Sequence, residues 1–222
     1  MRLSAKIAFM AAILLCLNIP CVKSEEVSRT VLKNGLVVLI QEARDVPLVA
    51  IEAHIRAGSA TEYGYLGSGI SHYVEHMLFK GAKNWPAPGD IEREIKSLGG
   101  YINAYTDHDT TAVHIIVPSE YASRALAVLR DILSQATFDP AELEKERAVI
   151  LKEIRLGNDE PASFVSRLLW STMFKAHNYR FPTIGQEEIL KKLKREDLLD
   201  YYRAHYVPDN MVLGVAGDIK EQ

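Results

Sequence analysis

The sequence of 222 residues has few cysteines, one short apolar run and no excess of basic charge. Its two cysteines, Cys16 and Cys21, are too few for a disulfide framework and lack the paired spacing of a thiolate metal site. The formal net charge of -3 offers no basic surface for nucleic acid, so we expect no nucleic-acid partner. The apolar run, residues 7–17, is shorter than the ~20 residues that a transmembrane helix needs, so we expect no stable membrane span.

The first 24 residues have the layout of a secretory signal peptide. A basic start is followed by the apolar run and then by Ser24, a small residue at the expected cleavage point. An uncleaved anchor or a lipid-modified Cys21 is the alternative. We therefore expect a mature domain of residues 25–222 that is secreted or periplasmic.

The order of the predicted elements indicates the fold class. Alternating apolar residues and turn signals predict strands at about 27–32, 36–41, 48–56, 101–105, 112–117 and 210–216. Helical spacing and capping residues predict helices at about 69–80, 90–98, 119–135, 140–158 and 162–175, and further helices near 186–204. Because strands and helices are grouped instead of alternating, we predict an α+β fold with helices on one face of a mixed or mainly antiparallel sheet.

The helix at 69–80 separates its residues into an apolar side and a polar side. The apolar side consists of Ile70, Tyr73, Val74, Met77 and Leu78. On the polar side, His72 and His76 are one turn apart and could bind one zinc ion. Glu75 lies beside them and could accept a proton from a water molecule that the metal activates.

A three-residue zinc site needs another ligand, and the helix at 140–158 offers two carboxylates. Glu146 and Glu153 are one heptad apart and therefore share a side of that helix. Their apolar neighbours are Val149, Leu156 and Ile150. We therefore expect both carboxylates on the packed side, flanked by Val149 and Leu156 on one side and by Ile150 on the other, where an ionised carboxylate is costly unless it is paired or metal-bound.

Simpler interpretations of both helices remain open. The polar side of the first helix could be the solvated face of an amphipathic helix. The two carboxylates of the second helix could form a buried salt bridge, for instance to Arg147 or Arg56.

The segment Gly69–Gly81, which reads GISHYVEHMLFKG, resembles the inverted zinc motif of the pitrilysin and insulin-degrading family of metallopeptidases. That family also includes the mitochondrial processing peptidase. The resemblance covers nearly all of residues 27–218. It continues through segments 99–106, 138–140, 146–154 and 206–211.

The resemblance assigns a role to each residue of the expected site. It implies one zinc ion per chain, with His72, His76 and Glu153 as ligands. Glu75 would be the general base, and Glu146 would be a carboxylate that supports the site. The implied fold is the metallopeptidase domain of the pitrilysin-like family.

The resemblance also implies how substrate binds. The family pairs the substrate backbone with a strand edge, which corresponds here to Asn103 and Ala104. Asn103 as an ordinary turn or edge residue is the alternative. The implied partners are a peptide or unfolded protein substrate and a second family domain, in cis or in trans, possibly as a dimer.

The sequence thus predicts a zinc endopeptidase domain that hydrolyses extended peptides. We expect residues 25–222 to be the first half of a longer two-domain unit and to need the second domain for activity. The alternative function is a noncatalytic family member that acts as a binding or assembly subunit.

Overall fold

The computed structural model describes residues 26–219. The predicted signal peptide, residues 1–24, lies outside the described residues, and its assignment stays a prediction. Across residues 26–219, every helix is too short or too polar to span a bilayer.

Six strands form a single mixed sheet in the described part of the chain. They are β1 (Ser28–Val31), β2 (Val37–Glu42), β3 (Leu48–Ile55), β4 (Tyr101–Thr106), β5 (Thr111–Pro118) and β6 (Met211–Gly217). Their order is β1-β2-β6-β3-β5-β4. Neighbouring strands are antiparallel except β2 and β6, which are parallel. The predicted mixed sheet is therefore confirmed.

Seven helices accompany the sheet in the described residues. They are α1 (Ile70–Leu78), α2 (Asp90–Ser97), α3 (Ala122–Ser134), α4 (Pro140–Asp159), α5 (Pro161–Met173), α6 (Glu187–Leu190) and α7 (Arg195–His205). The start of α4 is set by Asp139, whose side chain accepts hydrogen bonds from the backbone of Ala141 and Glu142. Pro140 fits the first position of that helix because its missing N–H would have no partner there.

The core lies between one face of the sheet and the helices. In β3, side chains alternate, so that Val49, Ile51 and Ile55 are buried while Leu48 is exposed. The apolar side of α1 is wholly buried in the same core. Each large apolar side chain buried this way contributes about 1.5–3 kcal/mol, so α1 is firmly seated with its polar side turned away from the core. This arrangement confirms the predicted α+β class.

The strand β4 is at one end of the sheet and pairs with β5 in the described part of the chain. Its residues alternate between exposed and half-buried, with Asn103 exposed and Ala104 half-buried against the core. The expectation of an edge strand at this position is confirmed. The polar side of α1 lies next to it, since Thr106 of β4 is hydrogen-bonded to Glu75.

Candidate metal centre

The helix α1 begins where two backbone segments touch. Gly69 precedes the helix with φ of 69°, a conformation that favours glycine. A Cβ atom at Gly69 would lie 2.4 Å from the carbonyl oxygen of Ile184, so only glycine allows this approach. The first turn of α1 is thereby held against the turn at 182–185, and His72 follows three residues later.

Three ligand atoms from two helices converge beside α1. His72 and His76 on α1 and Glu153 on α4 each offer one atom, and these atoms all lie within 4.8 Å of one another. The Nε2 atom of His76 is 3.7 Å from a carboxylate oxygen of Glu153. Ligand atoms around one tetrahedral zinc would be about 3.3–3.5 Å apart, given Zn–N and Zn–O distances near 2.0–2.2 Å. The distance between His76 and Glu153 is close to this range, and two imidazoles with one carboxylate are a donor set that zinc prefers.

Glu146 orients His76. Its carboxylate is 2.9 Å from Nδ1 of His76 and 2.9 Å from Nζ of Lys80. Although burial raises the pKa of Glu146, the hydrogen bonds from His76 and Lys80 lower it below its ordinary value overall. An ionised Glu146 accepts a hydrogen bond from the Nδ1–H of His76, and this tautomer leaves Nε2 free for a metal, which is how an outer carboxylate usually fixes a histidine ligand.

The salt-bridge interpretation of α4 is confirmed for Glu146, which is buried and paired, but the partners offered for it as examples are wrong. Arg147 pairs with Glu144 instead and donates to the backbone carbonyls of Leu190 and Leu193. Glu146 is paired with Lys80 and His76.

The expected burial of the residues around Glu146 and Glu153 on α4 is confirmed only in part. Glu146 is buried, as expected, but the side chain of Glu153 is 40% exposed. Val149 and Leu156 are 41% and 58% exposed, whereas Ile150 on the other flank is buried, as expected, and α4 packs through it together with Leu143 and Ile154. Packing on this flank leaves Glu153 at the rim of the cluster, where it is accessible to solvent.

His72 is held as a neutral ring. Burial and the neighbouring His76 lower its pKa to about 3. Its Nδ1 atom is buried and has no hydrogen-bond partner among the described residues. A neutral imidazole is the form that binds a metal ion, so the lowered pKa of His72 fits a metal ligand.

Glu75 lies beside the ligand atoms of His72, His76 and Glu153, and its carboxylate is bonded to the edge strand. Thr106 Oγ1 donates a hydrogen bond of 2.6 Å to its carboxylate. Burial raises the pKa of Glu75 above its ordinary value, which suits a group that must accept a proton during turnover. Glu75, His76 and Asn103 all line an open pocket of about 240 Å³. The structure therefore brings the predicted base, a predicted ligand and the predicted edge residue into one cavity.

Sequence reasoning gave no role to three residues that contact the site. Lys80 follows His76 by one helical turn, and this i+4 spacing could have identified it. Thr106 lies at the end of the edge strand, but its bond to Glu75 depends on how β4 meets α1. Glu62 accepts hydrogen bonds from the start of α1, and its position in a loop gives no signal in the sequence.

Comparisons with known proteins agree with this geometry. Residues 37–187 match the family profile described as Insulinase (Peptidase family M16), and residues 192–222 match the Peptidase M16 inactive domain. An uncharacterised zinc protease of Bacillus subtilis is 35% identical over 195 residues, which are 88% of this chain and 47% of that protein. The beta subunit of the mitochondrial processing peptidase of Rattus norvegicus is 34% identical over 91% of this chain and 40% of its own length. This chain thus spans about half the length, or less, of these curated relatives.

Solved structures show the same fold. The periplasmic protease PqqL from Escherichia coli superposes with a TM-score of 0.81 at 27% identity, over 89% of this chain and 23% of that chain. A protease from Helicobacter pylori superposes with a TM-score of 0.80 at 25% identity, over 89% of this chain and 48% of that chain. With a family match over most of its length and a His-His-Glu cluster in place, the chain belongs to the insulinase family of peptidases, family M16.

Proposed function

We propose that the chain is the metal-binding domain of a zinc endopeptidase that hydrolyses extended peptides. The observation that carries the proposal is the convergence of His72, His76 and Glu153 from two separate helices. The buried carboxylate of Glu146 supports the proposal, because it orients the ring of His76 as a metal ligand. The name "zinc protease" given to relatives of this chain agrees with that donor set.

Each residue of the site would have a separate role in peptide hydrolysis. When bound, zinc supplies Lewis-acid polarisation of a peptide carbonyl and makes water more acidic. Glu75 would accept the proton of the attacking water at its carboxylate and pass it to the leaving amine. Thr106 would hold that carboxylate in place through its 2.6 Å hydrogen bond.

The edge of β4 would hold the substrate. A peptide that adds as a further strand beside Asn103 and Ala104 gains main-chain hydrogen bonds with little dependence on its side chains. The same strand ends at Thr106, which contacts the proposed base. Substrates would therefore be extended peptides or unfolded proteins, because a folded protein offers no free strand.

A second family domain would complete the enzyme. The curated relatives are about twice as long as this chain, and a solved structure of the first half of PqqL superposes with a TM-score of 0.80. We propose that residues 25–222 work with such a domain, in cis or in trans, and that the isolated chain has little activity. The signal-like segment before Glu25 supports the further proposal that the enzyme is secreted or periplasmic.

A noncatalytic binding or assembly subunit is the second candidate function. Two observations favour it: residues 192–222 match the inactive-domain profile, and the relatives include a subunit of the cytochrome b-c1 complex. The intact set of two histidines and two glutamates favours the enzyme.

Zinc analysis of the purified chain tests the proposal. We expect about one zinc per chain, bound through two imidazoles and one carboxylate. The double variant His72→Ala, His76→Ala should lose it, while His54→Ala, which alters a histidine on the opposite face of the sheet, should not. Stoichiometric zinc in the double variant would contradict the assignment.

A further inference from the structure

Glu62 is a fully buried carboxylate whose hydrogen bonds go to the start of the metal helix. It lies in the loop after β3 and is 0% exposed. Its carboxylate accepts hydrogen bonds from the backbone N–H of Gly69 at 3.2 Å and of Ser71 at 3.0 Å. The hydroxyl of Ser71 also donates to it.

These N–H groups need an external partner. The first N–H groups of an α-helix have no carbonyl within the helix to bond. Gly69 has no side chain with which to cap α1, and Ser68 Oγ accepts only from Ile70 N–H at 3.2 Å. Glu62 therefore serves as the remote cap of the helix, and when it is ionised its negative charge lies at the positive end of the helix dipole.

Glu62 caps the first turn of α1, and this turn carries the proposed ligand His72. His72 follows Ser71 directly, so the bonds from Ser71 to Glu62 fix the height and rotation of the turn that carries His72. Glu153 comes from α4, and the spacing of the ligands therefore depends on where α1 sits relative to α4. Metal sites need their ligands placed to within about 0.5 Å.

We propose that Glu62 is a positioning residue of the metal centre, which holds His72 at ligand distance by anchoring the first turn of α1. This inference rests on the proposed zinc site. It differs from a general role in stability, because it requires zinc affinity and metal geometry to change in a chain that remains folded.

The experiment compares zinc affinity at about pH 8, where carboxylates are ionised, in the whole chain and in four variants. Glu62→Gln keeps one acceptor oxygen but places an amide NH₂ against a backbone donor. Ser71→Ala removes the hydroxyl bond to Glu62 and keeps the backbone bond. Glu188→Gln is the same change at an exposed glutamate, and Ile132→Val weakens the core on α3 without touching the cap.

We expect Glu62→Gln to weaken zinc binding about tenfold, within the 10–100-fold range seen when an outer residue of a metal site is lost. We also expect the absorption bands of bound Co²⁺ to shift, with the circular dichroism spectrum unchanged. Ser71→Ala should show a smaller loss in the same direction, and the two control variants should bind zinc as the unaltered chain does.

The possible outcomes separate the inference from the proposed function. Unaltered zinc affinity and Co²⁺ bands in a folded Glu62→Gln chain overturn the inference, while the metal site stands. If Glu62→Gln fails to fold, Ser71→Ala decides: weaker zinc binding supports the inference, and normal binding overturns it. A weakening in Ile132→Val equal to that in Glu62→Gln also overturns it. An unaltered chain that binds no zinc contradicts the proposed function itself.

Discussion

Glu75 differs from the predicted zinc ligands in the partner of its side chain. His72, His76 and Glu153 form the cluster of ligand atoms, whereas the carboxylate of Glu75 is bonded to Thr106. This difference supports the proposal that Glu75 acts as the proton acceptor and not as a metal ligand.

The change Glu75→Gln should abolish catalysis and spare the metal. Glutamine keeps the shape and can still accept from Thr106, but it cannot take a proton. We expect peptide hydrolysis to fall by at least ~10²-fold, the lower end of what general bases contribute. Hydrolysis and zinc content should be measured together in an enzyme supplied with its second domain. Loss of zinc along with activity would show that Glu75 is itself a ligand.

Glu62 should make the unfolding free energy depend on pH. Burial raises its pKa from 4.5 to about 7, against the opposing effect of the bonds from Ser71 and Gly69. Tyr201 of α7 faces it, and the pKa of that phenol is raised by burial and by Glu62. Between pH 4.5 and 7 the folded chain therefore holds a proton that the unfolded chain has released, so the contribution of Glu62 to stability decreases as pH rises.

The comparison of unaltered chain and Glu62→Gln isolates this effect. From pH 4.5 to 7.5, we expect the unfolding free energy of the unaltered chain to fall relative to that of Glu62→Gln. The relative loss should be up to about 3 kcal/mol. Urea titrations with a chelator present would measure it, with Glu188→Gln as the exposed control. A difference that is constant across this range would contradict the raised pKa.

At the level of elements, the edge strand offers a direct test of substrate binding. Proline at Ala104 of β4 removes a backbone donor and fixes φ, whereas serine leaves the backbone intact. We expect Ala104→Pro to impair peptide cleavage strongly and Ala104→Ser to have a mild effect. Both variants should be assayed in an enzyme with its second domain, with zinc content and circular dichroism measured in parallel. Normal cleavage by a folded, zinc-loaded Ala104→Pro enzyme would exclude pairing of the substrate with this strand.

The elements that sequence patterns predicted best are those with local signals. Every predicted strand is present, and α4 follows its prediction closely because Asp139 and Pro140 mark its start. The stripe on which α4 packs was not predictable, because Val149 and Ile150 are both apolar and only tertiary packing selects between them. The same holds for the site. Helical spacing placed His72 and His76 together, but the contacts of Glu62 and Thr106 depend on how distant segments meet.

At the level of the whole molecule, the metal site joins parts of the chain that are distant in sequence. His72 and Glu153 are 81 positions apart and lie on α1 and α4. A ligand that binds only the folded state raises its stability with concentration. Zinc in hundredfold excess over its dissociation constant should therefore add about 2.7 kcal/mol to the free energy of unfolding.

Thermal melts with zinc and with a chelator test this coupling. The unaltered chain should melt higher with zinc, and the His72→Ala, His76→Ala variant should melt at one temperature under both conditions. An equal zinc-dependent rise in the double variant would show that the ion binds elsewhere.

The short bond from Thr106 to Glu75 has a consequence for substrate selection. Thr106 is the last residue of the strand proposed to pair with substrate, so a peptide in the correct register would place its scissile bond beside a proton acceptor that is already held in position. A peptide that is out of register could occupy the edge equally well but would present no scissile bond to that acceptor. Competing peptides should then differ more in kcat than in KM. The selectivity of the enzyme would come from the rate of hydrolysis and not from binding affinity.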